Sequence, residues 1–214
     1  MMIDKKIIII NYGINNLKSI NMALQSLNYK TIITSDKREL TNADRIILPG
    51  VGSFKSGMKS LSKIKIIDQL YKSSLNNIPI LGICLGMQLF MTESQEFGLN
   101  KGLNLISGTV KKIPKINGNN YRKIPHIGWN KLNTDNISNN WSNSILSNLS
   151  KNSYFYFVHS YSAYPDNNNE ILSFTNYNNL NFVSSIMKNN IVGLQFHPEK
   201  SGKIGLNILK NFVS

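Results

Sequence analysis

Four consecutive isoleucines, Ile7 to Ile10, close the segment Ile3 to Ile10. A short run that is β-branched and apolar on both sides of the chain fits a strand buried on both faces. Such a strand needs helices above and below it. Asn11 to Asn16 reads as a loop, and Leu17 to Leu27 carries apolar residues at 17, 20, 24 and 27, which is helical spacing. Thr31 to Thr34 and Asp44 to Leu48 read as further strands, the second running into Pro49-Gly50. Ile64 to Leu75 reads as one helix, ending before Pro79. Ile80 to Cys84 is another short apolar strand, followed at once by helical spacing over Leu85 to Met91. This alternation predicts an α/β fold with a mostly parallel sheet and helices on both faces.

The second half reads differently. Tyr154 to Tyr161, Ile171 to Thr175, Phe182 to Lys188 and Val192 to Phe196 are closely spaced strands, expected to add hairpins and antiparallel edge strands to the sheet. A last helix is expected over about Gly202 to Phe212, and the Asn- and Ser-rich stretch Asn133 to Lys151 reads as surface loop with some helix. No internal repeat or long linker divides the chain, so a single domain over 1–214 is expected.

A net charge of +13 invites a nucleic-acid reading. Only three of the basic residues are arginines, however, against twenty-one scattered lysines. Base recognition leans on arginine forks, so the charge reads as a compositional bias of the surface and no nucleic-acid partner is expected. The longest mostly apolar run, Ile78 to Met91, is interrupted by Gln88 and falls short of the ~20 residues of a membrane helix. The apolar start is too short for a signal peptide. A soluble, cytoplasmic protein with no membrane contact is the expectation. With Cys84 as the only cysteine, an internal disulfide and a multi-thiolate metal site are excluded.

Two phosphate-binding patterns fail. Gly50-Val51-Gly52 follows a strand, but the third glycine of a dinucleotide fingerprint would fall at Lys55. Ser201-Gly202-Lys203 lacks both the hydroxyl residue after the lysine and the earlier glycine, at Ile204 and His197 respectively. The Gly50–Gly52 loop instead offers an unusual backbone with amides free to face a cavity.

Gly82-Ile83-Cys84-Leu85-Gly86 has the form of a nucleophile elbow with cysteine in place of serine. A strand ends and a helix begins within one residue, and the two glycines relieve crowding around the bend. Helix N-terminal amides favour the thiolate, and the Leu85 amide becomes available to a developing oxyanion. A second donor is expected from the loop holding Val51 and Gly52. A buried small hydrophobe is the alternative reading of Cys84. A thiolate nucleophile needs a base, and three histidines are candidates. His126 has no acid near it in sequence, and His159 lies in an aromatic strand. His197 sits at a strand end beside Pro198, with Glu199 placed to fold back onto the ring and fix its tautomer.

Pro79-Ile-Leu-Gly-Ile-Cys-Leu-Gly-Met-Gln88 together with Gln195-Phe-His-Pro-Glu-Lys-Ser201 resembles the class I, or triad, glutamine amidotransferases. Asn11-Tyr12-Gly13, Leu48-Pro-Gly-Val-Gly-Ser-Phe54, Pro125-His-Ile-Gly-Trp-Asn130 and Tyr156-Phe-Val-His-Ser-Tyr161 narrow the likeness to the glutaminase subunits of imidazole glycerol phosphate synthase, in histidine biosynthesis. The resemblance implies a flavodoxin-like core and hydrolysis of glutamine to glutamate and ammonia. It implies Cys84, His197 and Glu199 as catalytic residues, and Val51, Gly52 and Leu85 as backbone oxyanion donors. Gly52, Gln88, Ser160 and Tyr161 match glutamine-binding positions. It implies a heterodimer in which ammonia passes to a (β/α)₈ cyclase subunit, with Asn11, Asn15, Val51, Ser53 and Lys200 on the docking face. No metal or organic cofactor is implied. Asn15-Asn16-Leu17 departs from the Gly-Asn-Leu common in the family, in a loop where asparagine tolerates left-handed backbone. Three other readings stay open at this point: the glutaminase of another synthase such as anthranilate synthase, a cysteine hydrolase without ammonia transfer, and a non-catalytic binding module.

Overall fold

The structure, a computed structural model, describes residues 3–13, 16–117, 120–133, 141–150 and 152–214. The first half alternates as β1 (Ile3–Ile10), α1 (Leu17–Ser26), β2 (Tyr29–Thr34), β3 (Arg45–Leu48), α2 (Phe54–Lys63), α3 (Ile67–Leu75), β4 (Ile80–Ile83) and α4 (Leu85–Leu89). Short strands follow: β5 (Glu93–Ser94), β6 (Asn100–Lys101), β7 (Gly108–Lys112), β8 (Ile116–Asn117), β9 (Asn120–Tyr121), β10 (His126–Lys131), β11 (Tyr154–His159) and β12 (Tyr161–Pro165). The chain ends with β13 (Ile171–Tyr177), β14 (Leu180–Lys188), β15 (Ile191–Leu194) and α5 (Gly202–Val213).

Seven strands form the central sheet in the order β13-β14-β15-β4-β3-β1-β2. The five from β15 to β2 are parallel, and β14 and β13 add antiparallel pairs at one edge. The isoleucine run does what its composition demands. Ile8 and Ile10 pack with Leu61 of α2, Leu70 of α3 and Leu85 of α4, while Ile7 and Ile9 pack with Leu24 of α1 and Ile208 of α5. All four are fully buried, and burial of such a side chain stabilises by roughly 1.5–3 kcal/mol.

Several elements depart from the sequence reading. The helix expected over Ile64 to Leu75 begins at Ile67, because Lys65 takes a left-handed φ of 53° and separates it from α2. The preceding helix went unread because only Phe54, Gly57 and Leu61 of its ten residues are buried among lysines and serines. Helix α4 stops at Leu89 rather than Met91, since the carbonyls of residues 89–91 accept amides from 103–106 instead of continuing the helix. Tyr154 to Tyr161 is two strands, not one. The chain breaks at Ser160, so that β11 pairs with β10 and β12 with β7, in sheets apart from the central one. Val192 to Phe196 forms the expected antiparallel hairpin with β14, but it is not an edge strand: β15 also lies parallel to β4 inside the sheet. Of the stretch Asn133 to Lys151, 134–140 and 151 fall outside the described residues, and Trp141–Asn143 forms one 3₁₀ turn.

Candidate active site

Strands β3, β4 and β15 are parallel neighbours, so the segments that leave their C-terminal ends meet at one edge of the sheet. These segments are Pro49–Ser53, Cys84 and Gln195–Glu199. Cys84 takes φ 54° and ψ −107°, and its amide donates to the Leu194 carbonyl at 2.7 Å. Left-handed backbone at a residue with a Cβ costs about 1–3 kcal/mol and marks functional turns. The flanking glycines are required by close approach. A Cβ on Gly86 would overlap the Leu48 carbonyl oxygen, and one on Gly82 would lie 2.5 Å from the Phe90 ring. The elbow therefore seats α4 directly against the end of β3.

His197 is buried, and its Nδ1 lies 2.7 Å from Glu199 Oε1, whose side chain is also buried. Glu199 thus folds back onto the ring as its spacing predicts, rather than standing as a surface acid. Burial opposes a charged ring at position 197, but hydrogen bonding and charge from Cys84 and Glu199 outweigh it and raise the pKa to about 10. Apart from its interaction with the sulfur, Nε2 has no hydrogen-bond partner among the described residues, which leaves that nitrogen available for proton transfer. The backbone around it is fastened. The His197 amide donates to the Tyr156 carbonyl, the Ser201 hydroxyl donates to the His197 carbonyl at 2.6 Å, and the Tyr156 amide donates to Ser201 Oγ. With α4 only five residues long, its dipole is slight, and the imidazolium is the full positive charge available to a thiolate.

The other two histidines lack a free nitrogen. His159 uses Nδ1 on the Tyr161 carbonyl and Nε2 on His126, and burial lowers its pKa to about 3. His126 uses its second nitrogen on Asn130, and burial lowers its pKa to about 4.

A cavity of about 530 Å³ opens over the sulfur and is lined by Val51, Gly52, Cys84, Leu85, Gln88, His159, Ser160, Tyr161 and His197. Every residue assigned to the triad, the oxyanion loop or glutamine binding, apart from Glu199 behind the imidazole, thus borders one space. Gln88 is buried and donates to the Tyr161 carbonyl at 3.0 Å and to Gln195 Oε1 at 2.9 Å. Gln195 Nε2 in turn reaches the sulfur at 3.7 Å. Asn11 and Lys200 are exposed, and the Lys200 ammonium stands 5.6 Å over the Tyr156 ring. Val51 is 41% exposed, Ser53 caps α2, and Asn15 lies outside the described residues.

Four site residues escaped the sequence reading. Glu96 is buried at the cavity wall and accepts the Phe54 amide at 2.6 Å. Tyr12 donates to the Pro49 carbonyl at 2.6 Å, and burial with the nearby Cys84 charge pushes its phenol up out of the titrating range. Gln195 and Ser201 stood in the motif without a role. No signal at their own positions could have found them, because each acts through a contact made by the fold. Among the described residues no three metal-binding side chains cluster, and no helix is long and apolar enough to cross a membrane.

This chain belongs to the class-I glutamine amidotransferase family, whose model matches residues 2–214. The fold agrees: a crystal structure of a glutamine amidotransferase superposes with a TM-score of 0.70 at 14% identity, covering 96% of this chain and 98% of that one. Closer in sequence is the imidazole glycerol phosphate synthase subunit HisH of Archaeoglobus fulgidus, 44% identical over 209 residues, which are 97% of this chain and 98% of the relative. HisH of Lactococcus lactis subsp. lactis (strain IL1403) is 43% identical over 210 residues, 98% of each chain.

Proposed function

We propose that the protein is the glutaminase subunit of an imidazole glycerol phosphate synthase, acting in histidine biosynthesis in the cytoplasm. The observation that carries the chemistry is the strained Cys84 elbow beside a His197 ring that Glu199 and the sulfur keep protonated. His197 rests protonated, so it begins as an acid.

The Cys84 thiolate attacks the side-chain amide carbon of glutamine. Negative charge moves to the amide oxygen, where the Leu85 amide and the Val51–Gly52 backbone supply donors. The C–N bond breaks as His197 Nε2 gives its proton to the leaving nitrogen, releasing ammonia and leaving a γ-glutamyl thioester. His197, now neutral, takes a proton from water, which attacks the thioester. Glutamate leaves and the thiolate–imidazolium pair is restored. Gln88, Gly52, Ser160 and Tyr161 hold the substrate. Glu96 is the only carboxylate among the residues lining the cavity, which suits it to the substrate ammonium.

The partner is a (β/α)₈ cyclase subunit, reached from the rim that carries Asn11, Val51, Ser53 and Lys200. Exposed Trp129 on β10, whose ring meets that of Tyr156 beneath Lys200, adds apolar area to that face. Ammonia is freely miscible with water, so transfer needs an enclosed path that begins at the sulfur. Ammonia release from glutamine, measured with and without the cyclase and its substrate, tests the reading. Release that rises when the cyclase is added supports it. An anthranilate synthase subunit that binds and activates the chain in its place would overturn the pathway assignment.

A further inference from the structure

The chemistry above leaves two histidines without a role: His159 lies in the wall of the glutamine cavity, and His126 stands behind it. His126 and His159 face each other across the antiparallel β10–β11 pair. His126 Nδ1 is 3.0 Å from His159 Nε2, Asn130 Nδ2 is 2.8 Å from His126 Nε2, and His159 Nδ1 is 2.9 Å from the Tyr161 carbonyl.

The direction of this chain is forced. A carbonyl only accepts, so the His159 proton is on Nδ1. The ring is neutral, so its Nε2 is a lone pair and must receive from His126 Nδ1–H. His126 is neutral as well, and its Nε2 then receives from the Asn130 amide. Every nitrogen is satisfied, and all donors point toward the Tyr161 carbonyl. The rings cannot readily turn: His126 sits 5.1 Å from the Phe157 ring and 4.2 Å from the Tyr177 ring. Gln88 donates to the same carbonyl at 3.0 Å. One oxygen thus fixes both the wall after β11 and the side chain on the elbow helix.

We propose that His126 and His159 are positioning residues for glutamine: their one-way hydrogen-bond chain holds the Tyr161 carbonyl, and with it Gln88 and the Ser160–Tyr161 wall, in the arrangement that accepts the substrate. The proposal rests on the glutaminase reading, and its test separates the two. A chloroketone analogue of glutamine alkylates a nucleophilic thiol with loss of chloride. The concentration for half-maximal labelling reports the pocket, and the limiting rate reports the sulfur and His197. His126→Phe keeps a ring between Phe157 and Tyr177 but donates nothing. It should raise the half-saturating concentration about fivefold, what one typical net hydrogen bond is worth, with the limiting rate within about twofold. His126→Asn places an amide near the lost Nδ1–H and should recover most of the affinity despite poorer packing.

Equal behaviour of the two variants, or wild-type saturation in His126→Phe, would overturn the proposal. No labelling of Cys84 in the wild type would remove the glutaminase reading itself, and the proposal with it. A second measurement needs no variant. Nitrogen-15 spectra of the histidine rings should show both His126 and His159 as neutral Nδ1–H tautomers at pH 7. Either ring found as the Nε2–H tautomer contradicts the chain.

Discussion

Cys84 pays for its position in backbone strain, and the strain explains why its neighbours are what they are. Glycine at 82 and 86 lets strand and helix close around the bend, and that local pattern is legible in the sequence because every part of it lies within five residues. Cys84→Ser should abolish ammonia release and leave the circular dichroism spectrum unchanged; an active serine variant would remove the nucleophile. His197 and Glu199 were legible for the same reason of spacing, although choosing among three histidines took the family resemblance, and the fold adds the reason. His159 borders the cavity too and is disqualified only because both its nitrogens are engaged. His197→Asn should lower kcat/KM by about 10³-fold or more, since it removes both the proton donor and the charge beside the thiolate, and Glu199→Gln should cost less. A larger loss in His159→Asn than in His197→Asn would reverse the assignment. Glu96 and Tyr12 were illegible because their partners, Phe54 and Pro49, are 42 and 37 residues away. Tyr12→Phe frees the Pro49 carbonyl at the base of the oxyanion loop and should reduce kcat several-fold more than it raises KM, measured by steady-state ammonia release.

Elements were legible where one physical demand dominated. The isoleucine run of β1 and the spacing of α1 needed no tertiary information. Strand β10 carries the reverse of the expected pattern, with Ile127 and Trp129 outward and His126 inward, so alternation alone points the wrong face to the core. The buried histidines of β10 and β11 have a consequence for stability. Both pKa values, about 4 and about 3, lie below the unfolded value of 6.5. As pH falls through 6.5 the unfolded chain takes up protons that the folded chain refuses. The contribution of each ring is therefore full above pH 6.5 and is lost as pH falls toward its folded value, by about 1.4 kcal/mol per pH unit per ring. Urea melts between pH 6.5 and 4 should show His126→Asn losing stability with a shallower slope than the wild type. Parallel slopes would mean that the ring is not held neutral.

For the whole molecule, the order of strands is what brings chemistry together. Because β3, β4 and β15 are adjacent and parallel, three segments distant in sequence end at one edge, the face on which the candidate active site opens. The parallel core was legible from alternating elements, whereas the placement of β15 beside β4 was not, since a four-residue apolar strand carries no mark of its neighbour. Lys200 stands on this face, beside the triad and exposed. Lys200→Ala should weaken binding to the cyclase subunit by about 1–3 kcal/mol, the range for a charge pair desolvated on docking, with a smaller effect at higher salt. Titration of the complex at two ionic strengths measures this, and unchanged affinity at both would place the docking contact elsewhere on the rim.

Acyl transfer to a single sulfur is the centre of the account. Protein turning over glutamine in the presence of the cyclase and its substrate should be quenched in acid and analysed by peptide mass spectrometry. The account predicts a γ-glutamyl thioester on the peptide that holds Cys84, formed during turnover, gone when glutamine is exhausted and absent from the Cys84→Ser variant. Steady ammonia release with no acyl group on that peptide, or with the group on another residue, would contradict it.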